Sequence, residues 1–352
     1  MRYIATEEHV KLLGRTWLKD EVCYLGYSCS GIEFEMTGTK AEALLWSDGK
    51  KWDENLRAWM AVFINDETTP SKRFCLNDEE GCYLLYQSEK PEKVKIKLIK
   101  YSEAAFAKVG IKGLVIEGSE IVPTPDKDLK IEFIGDSITC GYGNEGILGK
   151  GTFTTAQENP YLAYASQTAL ALNADYHLIS WSGIGILSSY TEEDEPNRRE
   201  QLMPKLYPYT NRALGEMMGE MELWDFNRFE PDYVVINLGT NDFSYAKDIK
   251  ARQMAFEAVY YNFLLMVRMY RPKSHIICTL GPMELGLFPM VEAATKSFIE
   301  NEQDDNIEAF SFEKHTEADG IGTDSHPSLF THQKMKRALV QKIQECMEVK
   351  NK

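Results

Sequence analysis

The stretch 131–143, IEFIGDSITCGYG, decides how the rest of the chain is read. Ile131, Phe133 and Ile134 form the short apolar run of a buried parallel strand. Gly135 frees the backbone for a sharp turn and leaves Asp136-Ser137 at the strand's carboxyl end, where ligands gather in open α/β sheets. A hydroxyl held there becomes the nucleophile of an acyl-transfer enzyme when a base reaches it. Gly-Asp-Ser turns without catalytic duty are commoner than catalytic ones, so the assignment depends on partners elsewhere. Asp136 is read as the cap of the turn and of the helix after it.

Downstream, strands alternate with helices. Residues 176–181 are strand-like and run into Ser182-Gly183-Ile184-Gly185, and 233–238 form a buried strand ending at Gly239-Thr240-Asn241-Asp242. Helical periods cover 163–172, 251–270, 291–300 and 329–347, with further strands at 276–280 and 307–312. This alternation predicts a doubly wound parallel sheet. Upstream the pattern differs. Ile32, Phe34 and Met36 alternate with Glu33 and Glu35, and short apolar runs recur at 43–46, 59–64, 83–86 and 94–99. Turn signals at 37–39, 65–67, 77–78 and 90–91 separate them, which predicts an antiparallel sandwich or jelly roll. The run Pro123-Thr124-Pro125-Asp126-Lys127-Asp128 reads as a linker, because prolines do not continue a strand ladder. The expected domains are therefore 1–125, all-β, and 126–352, α/β.

Composition narrows the partners. A net charge of -15 opposes nucleic acid and anionic membrane surfaces. No apolar run approaches the roughly 18 residues of a bilayer span, and the acidic start Met1-Arg2-Tyr3-Ile4-Ala5-Thr6-Glu7-Glu8 is unlike a signal peptide. A cytoplasmic protein is expected. The seven cysteines lack Cys-x-x-Cys spacing and suit reduced thiols. The six histidines do not pair at ligand spacing on a helical face, so neither a metal nor another cofactor is expected. Nothing in the patterning specifies an oligomer.

The chemistry-bearing residues fall at strand ends or in the last loop. His326, in Gly322-Thr323-Asp324-Ser325-His326-Pro327-Ser328, is the base for Ser137, since an imidazole takes and returns a proton near neutrality. Asn241 and a glycine N–H, with the Ser137 N–H, can meet the charge of a tetrahedral intermediate. Spacing leaves Gly183 and Gly185 both open; Gly185, farther past the strand end, is the first choice. Ligand pockets are lined mainly by apolar and aromatic side chains, which makes Tyr190 and Trp181 candidate substrate contacts.

Gly-Asp-Ser, Ser-Gly-x-Gly, Gly-Thr-Asn-Asp and Asp-x-His-Pro stand here in the order found in SGNH (GDSL-type) hydrolases, which the chain resembles. With Gly14-Arg15-Thr16 near the start of a β-sandwich, the likeness narrows to carbohydrate esterase family 2 and covers nearly the whole chain. It implies a jelly-roll module followed by a flavodoxin-like, three-layer α/β hydrolase domain, and metal-independent serine deacetylation of acetylated xylo-, gluco- or manno-oligosaccharides. Most SGNH hydrolases carry an Asp three residues before the His, where Thr323 stands. Asp324 is two residues before His326 and could bend back to orient it. Some members of the narrower family use a backbone carbonyl instead, and both arrangements stay open. Relatives often place an aromatic just before the catalytic His; here Ser325 stands there. The competing readings are another SGNH lipase, thioesterase or acyltransferase, and a carbohydrate-binding protein that has lost activity. Retention of Ser137, Asn241 and His326 together speaks against the last.

Overall fold

Past residue 127, five parallel strands form one sheet: β1 (Leu129–Gly135), β2 (Ala174–Ser180), β3 (Tyr233–Asn237), β4 (His275–Leu280) and β5 (Ile307–Ser311), in the order β2-β1-β3-β4-β5. This is the flavodoxin-like order, whose switch point lies beside β1. Every residue of β3 is buried, as a central parallel strand requires. The helices around the sheet include α1 (Ser137–Cys140), α2 (Tyr164–Ala171), α3 (Thr240–Ala246), α4 (Lys250–Tyr270), α5 (Phe288–Glu302) and α6 (Leu329–Lys350). α2 packs with α6 and α4 with α5. α4 shows why: Phe256, Tyr260, Phe263, Leu264 and Val267 recur at helical spacing and are buried as one stripe. Each such side chain contributes about 1.5–3 kcal/mol when fully removed from water.

β1 contains one charge that apolar patterning does not anticipate. Glu132 is wholly buried and receives Arg271 through Nε at 3.1 Å and Nη2 at 2.5 Å, with the Tyr207 hydroxyl donating at 2.6 Å. Arg271 also donates to the Phe226 and Phe229 carbonyls. A buried carboxylate persists only when so fully matched.

The protein, seen in a computed structural model that describes residues 1–192 and 195–350, divides into two compact units. The first comprises Met1–Asp126, Thr154–Glu158 and Tyr209–Trp224; the second comprises Lys127–Phe153, Asn159–Pro208 and Asp225–Lys352. Two segments inside the 126–352 range thus belong to the first unit. Arg15 gives a physical reason for one of them. Its buried guanidinium donates to the Tyr209 carbonyl at 2.7 Å and sits 5.3 Å from the Trp224 ring centroid.

The first unit is a ten-stranded antiparallel sheet wrapped round a core that includes Ile32, Phe34, Met36, Val62, Ile96, Leu98 and Ile111. The alternation over 32–36 places its apolar members inside. The signals at 37–39 and 90–91 are not turns, however. Gly31–Ser47 and Glu80–Lys100 are single long strands paired antiparallel, and the register skips at Gly38/Lys40 and Ala41/Glu42. Bulges bend these strands where turns were expected. Gly38 is required there, since a Cβ would come within 2.4 Å of the Glu117 carbonyl oxygen. The linker reading is also modified, because Val122–Pro123 pairs with Phe34 and Glu35 before the chain leaves the sheet. Among the described residues no helix is long and apolar enough to cross a membrane.

Candidate active site

The site begins where β1 stops. A Cβ on Gly135 would lie 2.0 Å from Thr139 Oγ1, so only glycine lets α1 fold back this tightly. Asp136 caps α1 as expected: Oδ1 accepts the Ile138 N–H at 3.0 Å. Its other oxygen, Oδ2, accepts from Asn241 Nδ2 at 3.3 Å, so the cap also orients a residue from the end of β3. Ser137 stands at the first position of α1, nearly buried at 6% exposure.

His326 meets it from the last loop, with Nε2 at 2.8 Å from Ser137 Oγ. Its Nδ1 faces two carbonyls, Thr323 O at 3.2 Å and Asp324 O at 3.1 Å. Carbonyls only accept, so Nδ1 carries the proton and Nε2 presents its lone pair to the Ser137 hydroxyl. The backbone therefore selects the tautomer that a general base needs. Burial pushes the His326 pKa down to about 4, against the opposing pull of the two carbonyls.

The Asp324 carboxylate does not perform the orienting task foreseen for it. Oδ2 accepts the Tyr142 hydroxyl at 2.9 Å, and Asp324 reaches the imidazole through its carbonyl. The cause is backbone conformation: Asp324 and Ser325 both adopt left-handed φ values, 51° and 64°, which turn the carbonyls of this short loop toward His326.

The opposite wall is the segment after β2. Asp242, buried in α3, accepts the N–H groups of Ile186 at 3.0 Å, Leu187 at 2.6 Å and Ser188 at 2.9 Å. Burial pushes its pKa up to about 6 even though these bonds favour the anion. Gly185 is packed beneath this carboxylate: a Cβ there would meet Ser188 O at 1.9 Å and Asp242 Oδ2 at 2.7 Å. Its carbonyl also accepts the Met203 N–H. Gly183, with φ of 77°, faces open space, and its nearest neighbour to a Cβ would be Tyr190 Cβ at 3.9 Å. Asn241 Nδ2 donates to Ile184 O at 2.9 Å, which places its amide between the glycines and Ser137.

Of the two aromatic candidates, Tyr190 is half-exposed at 50% and its N–H is anchored to Gly183 O at 2.8 Å. Trp181 is 8% exposed and belongs to the core, leaving little ring for a ligand. Sequence reasoning missed the use made of Asp242 and Tyr142. The adjacency of Asp242 to Asn241 and of Tyr142 to the nucleophile turn were the available signals. A His–Glu–Cys group exists elsewhere in this unit: His275, Glu308 and Cys346 have ligand atoms within 4.8 Å of one another. His275 opens β4, at the end of the sheet away from Ser137, and Lys342 pairs with Glu308 there.

Residues 133–311 match the GDSL-like Lipase/Acylhydrolase family, and residues 12–125 match the Carbohydrate esterase 2 N-terminal family. The Cellulase/esterase CelE of Acetivibrio thermocellus is 33% identical over 333 residues, 93% of this chain; the chain spans 37% of that protein's length. A family two carbohydrate esterase from Clostridium thermocellum, solved in complex with cellohexaose, is 31% identical with a TM-score of 0.84, covering 96% of this chain and 99% of that one. An acetyl xylan esterase, Est2A, from the rumen bacterium Butyrivibrio proteoclasticus is 25% identical with a TM-score of 0.88, covering 99% and 98%. With residues 12–125 and 133–311 matched to these families and 96% of the chain covered by a family two structure at 31% identity, the chain belongs to family 2 of the carbohydrate esterases and carries a GDSL-like acylhydrolase domain.

Proposed function

We propose that the chain removes acetyl groups from acetylated oligosaccharides of the xylo-, gluco- or manno- type, through an acyl-enzyme on Ser137. The observation that carries this reading is the 2.8 Å contact between Ser137 Oγ and a His326 whose tautomer is fixed by two carbonyls. Ser137 Oγ attacks the ester carbonyl while His326 Nε2 takes its proton. The imidazolium formed is held by Thr323 O and Asp324 O and returns the proton to the departing sugar oxygen. Water then attacks the acetyl-serine by the same route in reverse, and acetate leaves. Three donors serve the oxyanion: the Ser137 N–H, a glycine N–H from the 182–185 turn, and the Asn241 amide. Tyr190, exposed beside Gly183, is the sugar contact in this reading, and no metal takes part. The relatives named above, an acetyl xylan esterase and an esterase solved with a gluco-oligosaccharide, support this substrate class.

Hydrolysis of p-nitrophenyl acetate, butyrate and octanoate by the wild type, by Ser137→Ala and after EDTA treatment tests the proposal. Acetate preference, lost in Ser137→Ala and indifferent to EDTA, is the expected outcome. Activity that survives in Ser137→Ala would remove the nucleophile.

A further inference from the structure

Tyr142 touches both catalytic partners without being either of them. Its N–H donates to the Ser137 carbonyl at 3.0 Å, tying it to the helix that carries the nucleophile. Its hydroxyl donates to Asp324 Oδ2 at 2.9 Å, tying it to the loop that carries the base. Its ring lies between Phe153, stacked at 3.6 Å between centroids with 9° between planes, and the His326 imidazole at 4.4 Å and 38°.

That loop needs external support. Asp324 and Ser325 are consecutive non-glycine residues at positive φ, a conformation that L side chains disfavour. The backbone supplies part of the support: Thr323 N–H donates to Gly143 O at 3.0 Å and Gly322 N–H to His326 O at 2.8 Å. Neither bond holds the Asp324 carbonyl, which is one of the two acceptors of the imidazole N–H. The His326 N–H closes the turn around Asp324 and Ser325 by donating to Thr323 O at 3.1 Å, and the side-chain bond to Tyr142 adds the grip on Asp324 itself.

We propose that Tyr142 is a positioning residue for the catalytic base, acting on His326 by gripping the Asp324 side chain and by packing its ring on the imidazole. In this arrangement the Asp324 carboxylate serves as a hydrogen-bond acceptor for Tyr142, while its carbonyl orients His326. An amide at 324 should replace the carboxylate, and an alanine should not. The inference rests on the Ser137–His326 reading and adds a residue to it.

The test measures kcat and KM on p-nitrophenyl acetate for Tyr142→Phe, Asp324→Asn, Asp324→Ala and the Tyr142→Phe/Asp324→Ala double variant, with Ser137→Ala as the control. Circular dichroism and thermal melting establish that each variant is folded. Tyr142→Phe keeps the ring and loses only the hydroxyl, so kcat should fall about 10-fold with KM little changed, the scale of one lost hydrogen bond near a charge. Asp324→Ala should match it, Asp324→Asn should stay within about threefold of wild type, and the double variant should be no worse than either single one. Wild-type kcat in Tyr142→Phe would overturn the inference. So would an Asp324→Asn loss equal to that of Asp324→Ala, which would assign the effect to the charge. Additive losses in the double variant would also overturn it. An active Ser137→Ala would bring down the underlying reading together with this one; an inactive Ser137→Ala beside a fully active Tyr142→Phe would bring down this one alone.

Discussion

Replacing Asn241 by alanine separates the oxyanion role from a structural one. In the resting site both amide hydrogens are engaged, one by Ile184 O at 2.9 Å and one by Asp136 Oδ2 at 3.3 Å. The longer bond is the weaker, so its hydrogen is the one available to a developing oxyanion. Loss of one such donor costs about 3 kcal/mol of barrier, which is a fall in kcat of about 10²-fold to 10³-fold. KM should change little, because the charge appears only in the transition state. The stability cost is separate: Ile184 O loses its donor in a buried setting, worth about 1–3 kcal/mol. Steady-state hydrolysis of p-nitrophenyl acetate, with chemical denaturation of the same preparation, reads both quantities. A folded Asn241→Ala protein with kcat within about threefold of wild type would refute the donor assignment.

The pH profile gives a second expectation. His326 is a base only when unprotonated, and its pKa is displaced from 6.5 down to about 4 by burial. The acid limb of kcat/KM should therefore bend near 4, with full activity retained at pH 6; a bend near 6.5 would contradict the burial argument. The two glycines should also separate. Gly185→Ala forces a Cβ to within 1.9 Å of a carbonyl oxygen and should leave little folded protein. Gly183→Ala meets open space and should cost only the left-handed strain, about 1–2 kcal/mol, read by thermal melting. Glu132→Leu strands the buried Arg271 and should destabilise the chain by about 3–5 kcal/mol in urea denaturation.

The second domain was legible because each strand announces itself twice, by an apolar run and by the polar block that follows it. Residues 131–135, 176–180 and 233–237 all fall within strands, and Ser137, Gly183 and Asn241 follow their carboxyl ends. What failed, failed for physical reasons. Gly38 and Pro91 look like punctuation, yet a bulged antiparallel pair tolerates both, so separate short strands are in fact two long ones. Segment 209–224 lies in a polar, irregular stretch between strands of the α/β part, and contacts from far up the chain, among them the buried Arg15 on Tyr209 O and Lys19 on Glu220, hold it to the first unit. Trp181 continues a strand into the core, where exposure depends on neighbours that a sequence does not reveal. Asp324 is the instructive case. The usual spacing falls on Thr323 and Asp324 stands one residue off it; the choice between carboxylate and carbonyl, open in the sequence, depended on two positive φ angles and on Tyr142.

The central claim is that Ser137 is the nucleophile activated by His326. Its most direct measurement is intact mass and peptide mapping after exposure to a fluorophosphonate, which reacts with activated serines. One adduct, mapped to Ser137, absent in Ser137→Ala and slowed strongly in His326→Ala, is the predicted result. An unlabelled protein, or an adduct on any other residue, would contradict it.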